Sequence, residues 1–133
     1  MSKFTKPIIV ELLPGGRRVR VVESFSYDIG KKGGTTIRIP AGFVSDGASI
    51  PRIFWFIVGS PLTGKYRAGA ILHDFLYYSA LYPRKRSDEI FLEAMTVLNV
   101  NKVKRTIIFW AVRIGAEWSW NKHRENKFST SSH

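Results

Sequence analysis

Two short segments hold the polar side chains whose types could do chemistry: GFVSDGASIPR (residues 42–52) and ILHDFLY (residues 71–77). In the first segment, Asp46 and Ser49 lie among small residues. In the second, His73 and Asp74 interrupt an apolar and aromatic run. Burying an unpaired hydroxyl or imidazole costs about 1 to 3 kcal/mol, and an unpaired carboxylate costs more. We therefore expect the two segments to face each other.

A metal site is the first chemistry that these residue types predict. Asp46, His73 and Asp88 would be the ligands of a divalent cation, and Asp74 would orient a ligand or act as a base. Such a cation lowers the pKa of a bound water and makes a nucleophile near neutral pH. The spacing matches no established zinc signature, because the chain has no HExxH motif.

Two alternatives need no metal. Ser49 would be a nucleophile with His73 as its base, although the GxSxG elbow is missing and a serine before Pro51 is more typical of a helix cap. In the other alternative, His73 and Asp74 bond to the backbone of the Asp46 loop and only fix it onto the helix. The sequence leaves the choice between a reactive site and a structural network open.

A central helix, predicted over residues 65–81, must position the histidine. His73, Asp74 and Tyr77 are spaced so that they share one face of this helix. The segment is apolar on nearly all sides, as is typical of a core helix. The polar residues are therefore expected to point inward or into a cleft.

The next predicted helix covers residues 88–100. Ser87 is its expected N-cap, and Asp88 in the first turn favours the helix dipole. The favourable interaction with the helix dipole is by itself a sufficient reason for an aspartate at this position. A role in the site therefore requires the Asp88 side chain to turn toward His73.

A last helix is predicted over about residues 102–122, with Asn101 as its cap. Its first turn is basic, which opposes the helix dipole, so we expect an anionic neighbour, either Glu93 or an external phosphate. Apolar residues at helical spacing are interpreted as a core stripe: Ile107, Trp110, Ala111, Ile114 and Trp118.

The N-terminal third predicts strands over residues 7–13, 17–27 and 35–40, separated by glycine-rich turns. A short aromatic helix is predicted over residues 51–58. The fold class is therefore expected to be α+β, with a small N-terminal antiparallel β-sheet followed by three or four packed helices.

Length and composition predict one compact domain, residues 1–123, followed by a polar and flexible tail, residues 124–133. The absence of cysteine excludes disulfides and thiolate metal sites. No signal peptide and no transmembrane segment are expected, because the apolar runs are short. The net charge of +11 is spread over both halves and favours an anionic partner, either an acidic protein or nucleic acid.

GFVSDGASIP (42–51) and LHDFLY (72–77), followed by a helix that opens with Asp88, resemble an uncharacterised family of small phage and prophage proteins. The resemblance covers roughly residues 36–115. It implies a viral or prophage origin and assigns no reaction. It also implies a shared site, which consists of Asp46, Ser49, His73, Asp74 and Asp88.

The resulting expectation is a phage or prophage accessory protein, a metal-assisted hydrolase that can be virion-associated, located in the host cytoplasm or the virion. One alternative is a non-catalytic virion component, such as a tail or head-completion protein, whose basic surface binds acidic phage structural proteins. The other is a basic nucleic-acid binder, although the chain has no recognised nucleic-acid-binding motif.

Overall fold

The computed structural model describes residues 3–15, 18–31, 33–46 and 66–115. Ser49, the predicted helix over residues 51–58 and the predicted tail lie outside these ranges. Within them, the chain has N-terminal antiparallel strands followed by three helices, which is the expected α+β arrangement. The strands are β1 (Lys3–Phe4), β2 (Val10–Leu12), β3 (Val19–Val21), β4 (Phe25–Asp28), β5 (Thr36–Ile39) and β6 (Val44–Ser45).

These strands form two antiparallel sheets rather than the single sheet that was predicted. The sheet orders are β1-β4-β5 and β2-β3-β6. The segment predicted as one strand, residues 17–27, divides into β3 and β4 because Glu23 falls on the inward-facing positions of the alternation. Its charge cannot be buried there at low cost. Glu23 instead lies exposed, and its Oε2 atom is 3.8 Å from Lys6 Nζ. The chain bends at this point and enters the other sheet.

The first two helices are α1 (Arg67–Ser79) and α2 (Arg84–Val97). The bounds of α1 confirm the predicted central helix. The prediction for the start of α2 was wrong, since the helix begins after Pro83 and Ser87 is a buried helical residue rather than its N-cap. The backbone N–H of Ser87 already donates to the carbonyl of Pro83 at 3.0 Å, which is a helical bond.

The third helix, α3, is described over residues 102–115. The predicted cap is confirmed, because the Asn101 side-chain oxygen accepts from the backbone N–H of Val103 at 2.8 Å. The predicted core stripe is wrong at Trp110 and Ile114, which are 58% and 63% exposed. None of the helices in the described ranges is both long and apolar enough to cross a bilayer.

Two apolar clusters set the layering. The first packs β-strand side chains, including Tyr27 and Ile39, against Ile71 and Leu76 of α1 and Ile90 of α2. The second joins the other sides of α1 and α2 to α3. Both α1 and α2 contribute to each cluster, so they lie between the sheets and α3. The second cluster consists of Tyr66, Ala70, Phe91, Met95, Val100, Ile108 and Val112.

Candidate functional site

The carboxylate of Asp88 is the point where the three helices meet. Asp88 is 0% exposed and lies on α2. Its Oδ1 lies 2.6 Å from His73 Nε2 and 2.6 Å from the Tyr77 hydroxyl, both on α1. Its Oδ2 accepts a hydrogen bond from Arg113 Nη1 of α3 at 2.8 Å. We call these four residues the Asp88 network.

The Asp88 carboxyl is held in its ionised form. Burial by itself would raise its pKa, because desolvation disfavours a charge. The hydrogen bonds from His73, Tyr77 and Arg113 outweigh this effect, so the pKa of Asp88 lies below its ordinary value. The network is therefore built around a buried negative charge.

The ionised carboxylate determines the proton on His73. Because Asp88 Oδ1 is an acceptor, His73 Nε2 carries a proton and donates it. In the neutral ring, the lone pair is then on Nδ1. This atom is buried and has no hydrogen-bond partner in the part of the chain that the structure describes. A lone pair on a ring whose other nitrogen is fixed by a carboxylate is what a general base requires.

Aromatic packing fixes the orientation of the imidazole. The His73 ring stacks on Phe91 of α2 with a centroid distance of 4.6 Å and lies 4.3 Å from the Tyr77 ring. The pKa of the Tyr77 phenol is raised, first by burial and then by its bond to Asp88, so Tyr77 acts as a neutral donor. His73 is thus held by two ring contacts and one hydrogen bond.

The predicted common face of α1 divides into two. His73 and Tyr77 contact Asp88 on α2, whereas the Asp74 carboxylate accepts a hydrogen bond from the Ser45 hydroxyl at the end of β6. Successive residues of a helix point about 100° apart, so neighbours in the sequence reach different elements. The bond between Ser45 and Asp74 does bring the loop segment against α1, as expected.

The structure brings some of the candidate residues together. His73 and Asp88 are in direct contact, Asp74 contacts the strand that leads to Asp46, and Asp46 itself is exposed. Ser49 lies outside the described residues, so its role as nucleophile or cap stays a prediction.

Metal ligation by Asp46, His73 and Asp88 also stays a prediction. Among the described residues, no group of three or more histidine, aspartate or glutamate side chains is arranged to hold an ion. Both oxygens of Asp88 and the Nε2 atom of His73 are engaged in protein hydrogen bonds. An ion would therefore bind through His73 Nδ1 or would have to displace these bonds.

Sequence reasoning missed two members of the Asp88 network. Tyr77 belongs to the LHDFLY motif and shares a helix face with His73, which is a usable signal. Arg113 interrupts an apolar run, and a cation in such a run requires an anionic partner. What the sequence does not say is which of its acidic residues that partner is.

One family model matches most of the chain. The family model described as "Protein of unknown function (DUF1353)" matches residues 19–112, a range that includes nearly the whole of the site. The chain is 31% identical over 96 residues to the uncharacterized protein y4jT of Sinorhizobium fredii strain NGR234, which covers 71% of this chain and 28% of that protein.

A second relative comes from the same organism. The uncharacterized protein y4iH is 31% identical over 77 residues, which covers 57% of this chain and 32% of that protein. The chain thus matches about a third or less of the length of these curated relatives. No solved structure matches the chain.

Proposed function

Since the chain belongs to the DUF1353 family, whose description assigns no activity, we propose from the geometry of its own residues that it is a hydrolase with His73 as its general base. The observation that carries the proposal is the buried His73 ring, with Nε2 bonded to an ionised Asp88 and Nδ1 without a partner in the described ranges. The motif resemblance supports the further proposal that the protein is a phage or prophage accessory protein.

The chemistry follows from the two ring nitrogens. Nδ1 of His73 takes a proton from a water molecule as the water oxygen bonds to an electrophilic carbon or phosphorus. The ring becomes an imidazolium, whose Nε2–H already points to the Asp88 carboxylate. Arg113 and Tyr77 keep that carboxylate ionised and fixed in place. This arrangement stabilises the positive charge on the ring while the water oxygen bonds to the electrophilic atom of the substrate. The bond from that atom to the leaving group then breaks, and Nδ1 returns the proton to the leaving group.

Access to the base requires a motion of the chain. Nδ1 of His73 is buried, so a water or substrate group reaches it only after neighbouring atoms have moved. Many enzymes open and close their sites on the microsecond to millisecond timescale. The proposal therefore includes an opening step before the substrate binds.

A divalent cation is a variant of the same proposal. His73 Nδ1 is also a nitrogen that could bind a metal ion, and Asp46 follows directly after the strand that contacts α1. In that form, the ion would lower the pKa of a water molecule and so supply the nucleophile. Elemental analysis of protein purified without chelators separates the two forms, since only the metal form gives a stoichiometric ion that is lost in His73→Gln.

The direct test is turnover by His73→Gln. Glutamine places an N–H close to the position of His73 Nε2, so it can still donate to Asp88, but it has no base at the position of Nδ1. Wild-type protein is assayed on chromogenic esters, phosphodiesters, peptides and glycosides. We expect one class to be hydrolysed, and His73→Gln to lower the rate by about 10² to 10⁴.

Ser79→Ala is the matched control, because it removes a buried hydroxyl from the same helix without touching the network. Its rate should equal that of the wild type. A His73→Gln protein that keeps full activity would refute the role of His73 as the base.

A second experiment needs no substrate. The nitrogen chemical shifts of the His73 ring report which nitrogen carries the proton. We expect the proton of the neutral ring to be on Nε2, toward Asp88. A ring protonated at Nδ1 would contradict the proposed base.

The second candidate function is a non-catalytic virion component. It is favoured by the complete burial of His73 and Asp88 and by the three donors that surround Asp88. In this case no substrate class is turned over, His73→Gln changes only the stability, and purified particles contain the protein at fixed stoichiometry. Nucleic-acid binding rests on the net charge alone and predicts a steep loss of affinity with salt.

A further inference from the structure

The helix α3 has exposed apolar residues next to its buried side, and Ile107, which packs against the second apolar cluster, lies between the two. Val103, Trp110 and Ile114 are 68%, 58% and 63% exposed, and Ile107 between them is half-buried. We call these four residues the outer stripe. The buried residues of α3 lie on the neighbouring side of the helix: Ile108, Ala111 and Val112.

The spacing of the outer stripe is that of a coiled-coil seam. The intervals along the chain are four, three and four residues, which is the a/d pattern of a heptad repeat. At 100° per residue, the four positions fall within a sector roughly 60° wide. Helices that lie on membranes or pack into a globular core have a wider apolar face of about 100° or more. The exposed part of the apolar surface of α3 is thus about as wide as the seam that a single partner helix covers.

Trp110 provides an anchor in this stripe. Its ring packs edge-on against Phe109 with a centroid distance of 5.5 Å, which restricts its orientation. Tryptophan is among the residues that most often dominate the free energy of protein–protein binding. An oriented and largely exposed tryptophan is therefore suited to the centre of an interface.

The charge around the stripe selects the partner. Residues 102–115 contain four basic residues and no acidic one. Lys102, Lys104 and Arg105 make the first turn of α3 basic, and Lys104 occupies a position next to the seam that carries interhelical ion pairs in coiled coils. A second copy of this chain would place basic residues against basic residues, whereas a helix with glutamates at these positions would place opposite charges together.

We propose that α3 is a docking surface for an amphipathic helix of another protein, with apolar residues at its a and d positions and acidic residues beside them. The outer stripe supplies the apolar contact, and the basic first turn of α3, with Lys102, Lys104 and Arg105, sets the preference for acidic flanks. The interface is separate from the proposed hydrolysis, because none of the outer-stripe residues is a member of the Asp88 network.

The test uses the full chain and three synthetic 21-residue helical peptides. The first has isoleucine and leucine at a and d and glutamate at e and g. The second replaces a and d by glutamine, and the third replaces e and g by lysine. We expect only the first to bind measurably by calorimetry, and the variant Trp110→Ala/Ile114→Ala to weaken this binding at least about tenfold.

Tyr78→Ala is the matched control, because Tyr78 is an 81% exposed aromatic residue on α1. It should change the affinity by less than about twofold. The variant side chains on α3 are largely exposed, so far-UV circular dichroism should show an unchanged fold.

Four results would overturn the proposal. The first two are that the first peptide does not bind, and that the glutamine or lysine peptide binds as tightly as the first. The third is that sedimentation detects a dimer of the chain, and that this dimer is lost in the variant Trp110→Ala/Ile114→Ala. A second copy of the chain would then be the occupant. The fourth is that the chain cosediments with phosphatidylglycerol vesicles and that the same variant does not. The outer stripe would then be a lipid-binding surface.

Discussion

Two carboxylates on α2, Asp88 and Glu93, each accept a hydrogen bond from a tyrosine at 2.6 Å, yet their other partners differ. Glu93 bonds to the Tyr27 hydroxyl and to the backbone N–H of Gly30 at 3.0 Å. Asp88 bonds to the Tyr77 hydroxyl, to an imidazole and to a guanidinium. The same helix therefore holds two tyrosine–carboxylate pairs in two environments.

The difference separates a structural contact from a candidate reactive one. The described partners of Glu93 come from β4 and from the turn that follows it, so Glu93 attaches the sheet to α2. A backbone amide has no second site at which a proton can be exchanged. The imidazole beside Asp88 has one, at Nδ1. A carboxylate paired with tyrosine is thus not by itself a functional signal, and the third partner decides the chemistry.

The largest expected effect comes from removing each carboxylate. Asp88→Ala leaves a buried imidazole N–H, a phenol and a guanidinium without their acceptor, so we expect a loss of about 3 to 5 kcal/mol in the free energy of unfolding. Glu93→Ala removes a half-buried group and should cost about 1 to 3 kcal/mol. Urea denaturation at neutral pH measures both. Equal losses would mean that the two carboxylates contribute equally to the free energy of unfolding.

Acid should reveal the Asp88 contribution separately. The pKa of Asp88 is lowered in the folded protein, so its ionised form stabilises the fold above the unfolded-state pKa of about 4. This contribution is lost as the pH falls through the lower pKa of the folded state. The stability difference between wild type and Asp88→Asn should therefore shrink below about pH 4. Urea titrations at several pH values test this, and a difference independent of pH would contradict it.

The two tyrosines give a matched pair of smaller changes. Tyr77→Phe and Tyr27→Phe each remove one hydrogen bond to a carboxylate, so each should cost about 1.5 to 3 kcal/mol. Only Tyr77→Phe should also alter the nitrogen chemical shifts of the His73 ring, since it changes the charge distribution on Asp88. An equal change of these shifts in Tyr27→Phe would show that the two sites are coupled.

The smallest effect is expected at Ser87. Its hydroxyl is buried and has no hydrogen-bond partner in the described part of the chain, although its neighbour Asp88 is fully bonded. Ser87→Ala should therefore change the stability by less than about 0.5 kcal/mol or increase it slightly. A loss above about 1 kcal/mol would mean that Ser87 has a partner, and the boundary of the Asp88 network would have to be redrawn.

Local patterns predicted much of the helical part. The apolar run around His73 predicted α1, and the side chain of Asn101 caps α3 as expected. The prediction of Ser87 as the N-cap of α2 was wrong. A serine before two acidic residues resembles a cap, but the helix begins earlier, directly after Pro83. The predicted core stripe of α3 was wrong at Trp110 and Ile114, because apolar periodicity identifies the apolar residues of a helix but not which of them the rest of the chain covers.

The sequence alone determined the α+β class, the central helix and the need of His73 and Asp74 for polar partners, since these follow from periodicity over a few turns and from the cost of burying polar groups. Only the tertiary structure decided which residues are these partners: Asp88 for His73, and Ser45 for Asp74. It also decided that residues 17–27 divide between two sheets. The physical reason is that such choices depend on the packing of segments distant in the chain, and no local pattern encodes that packing.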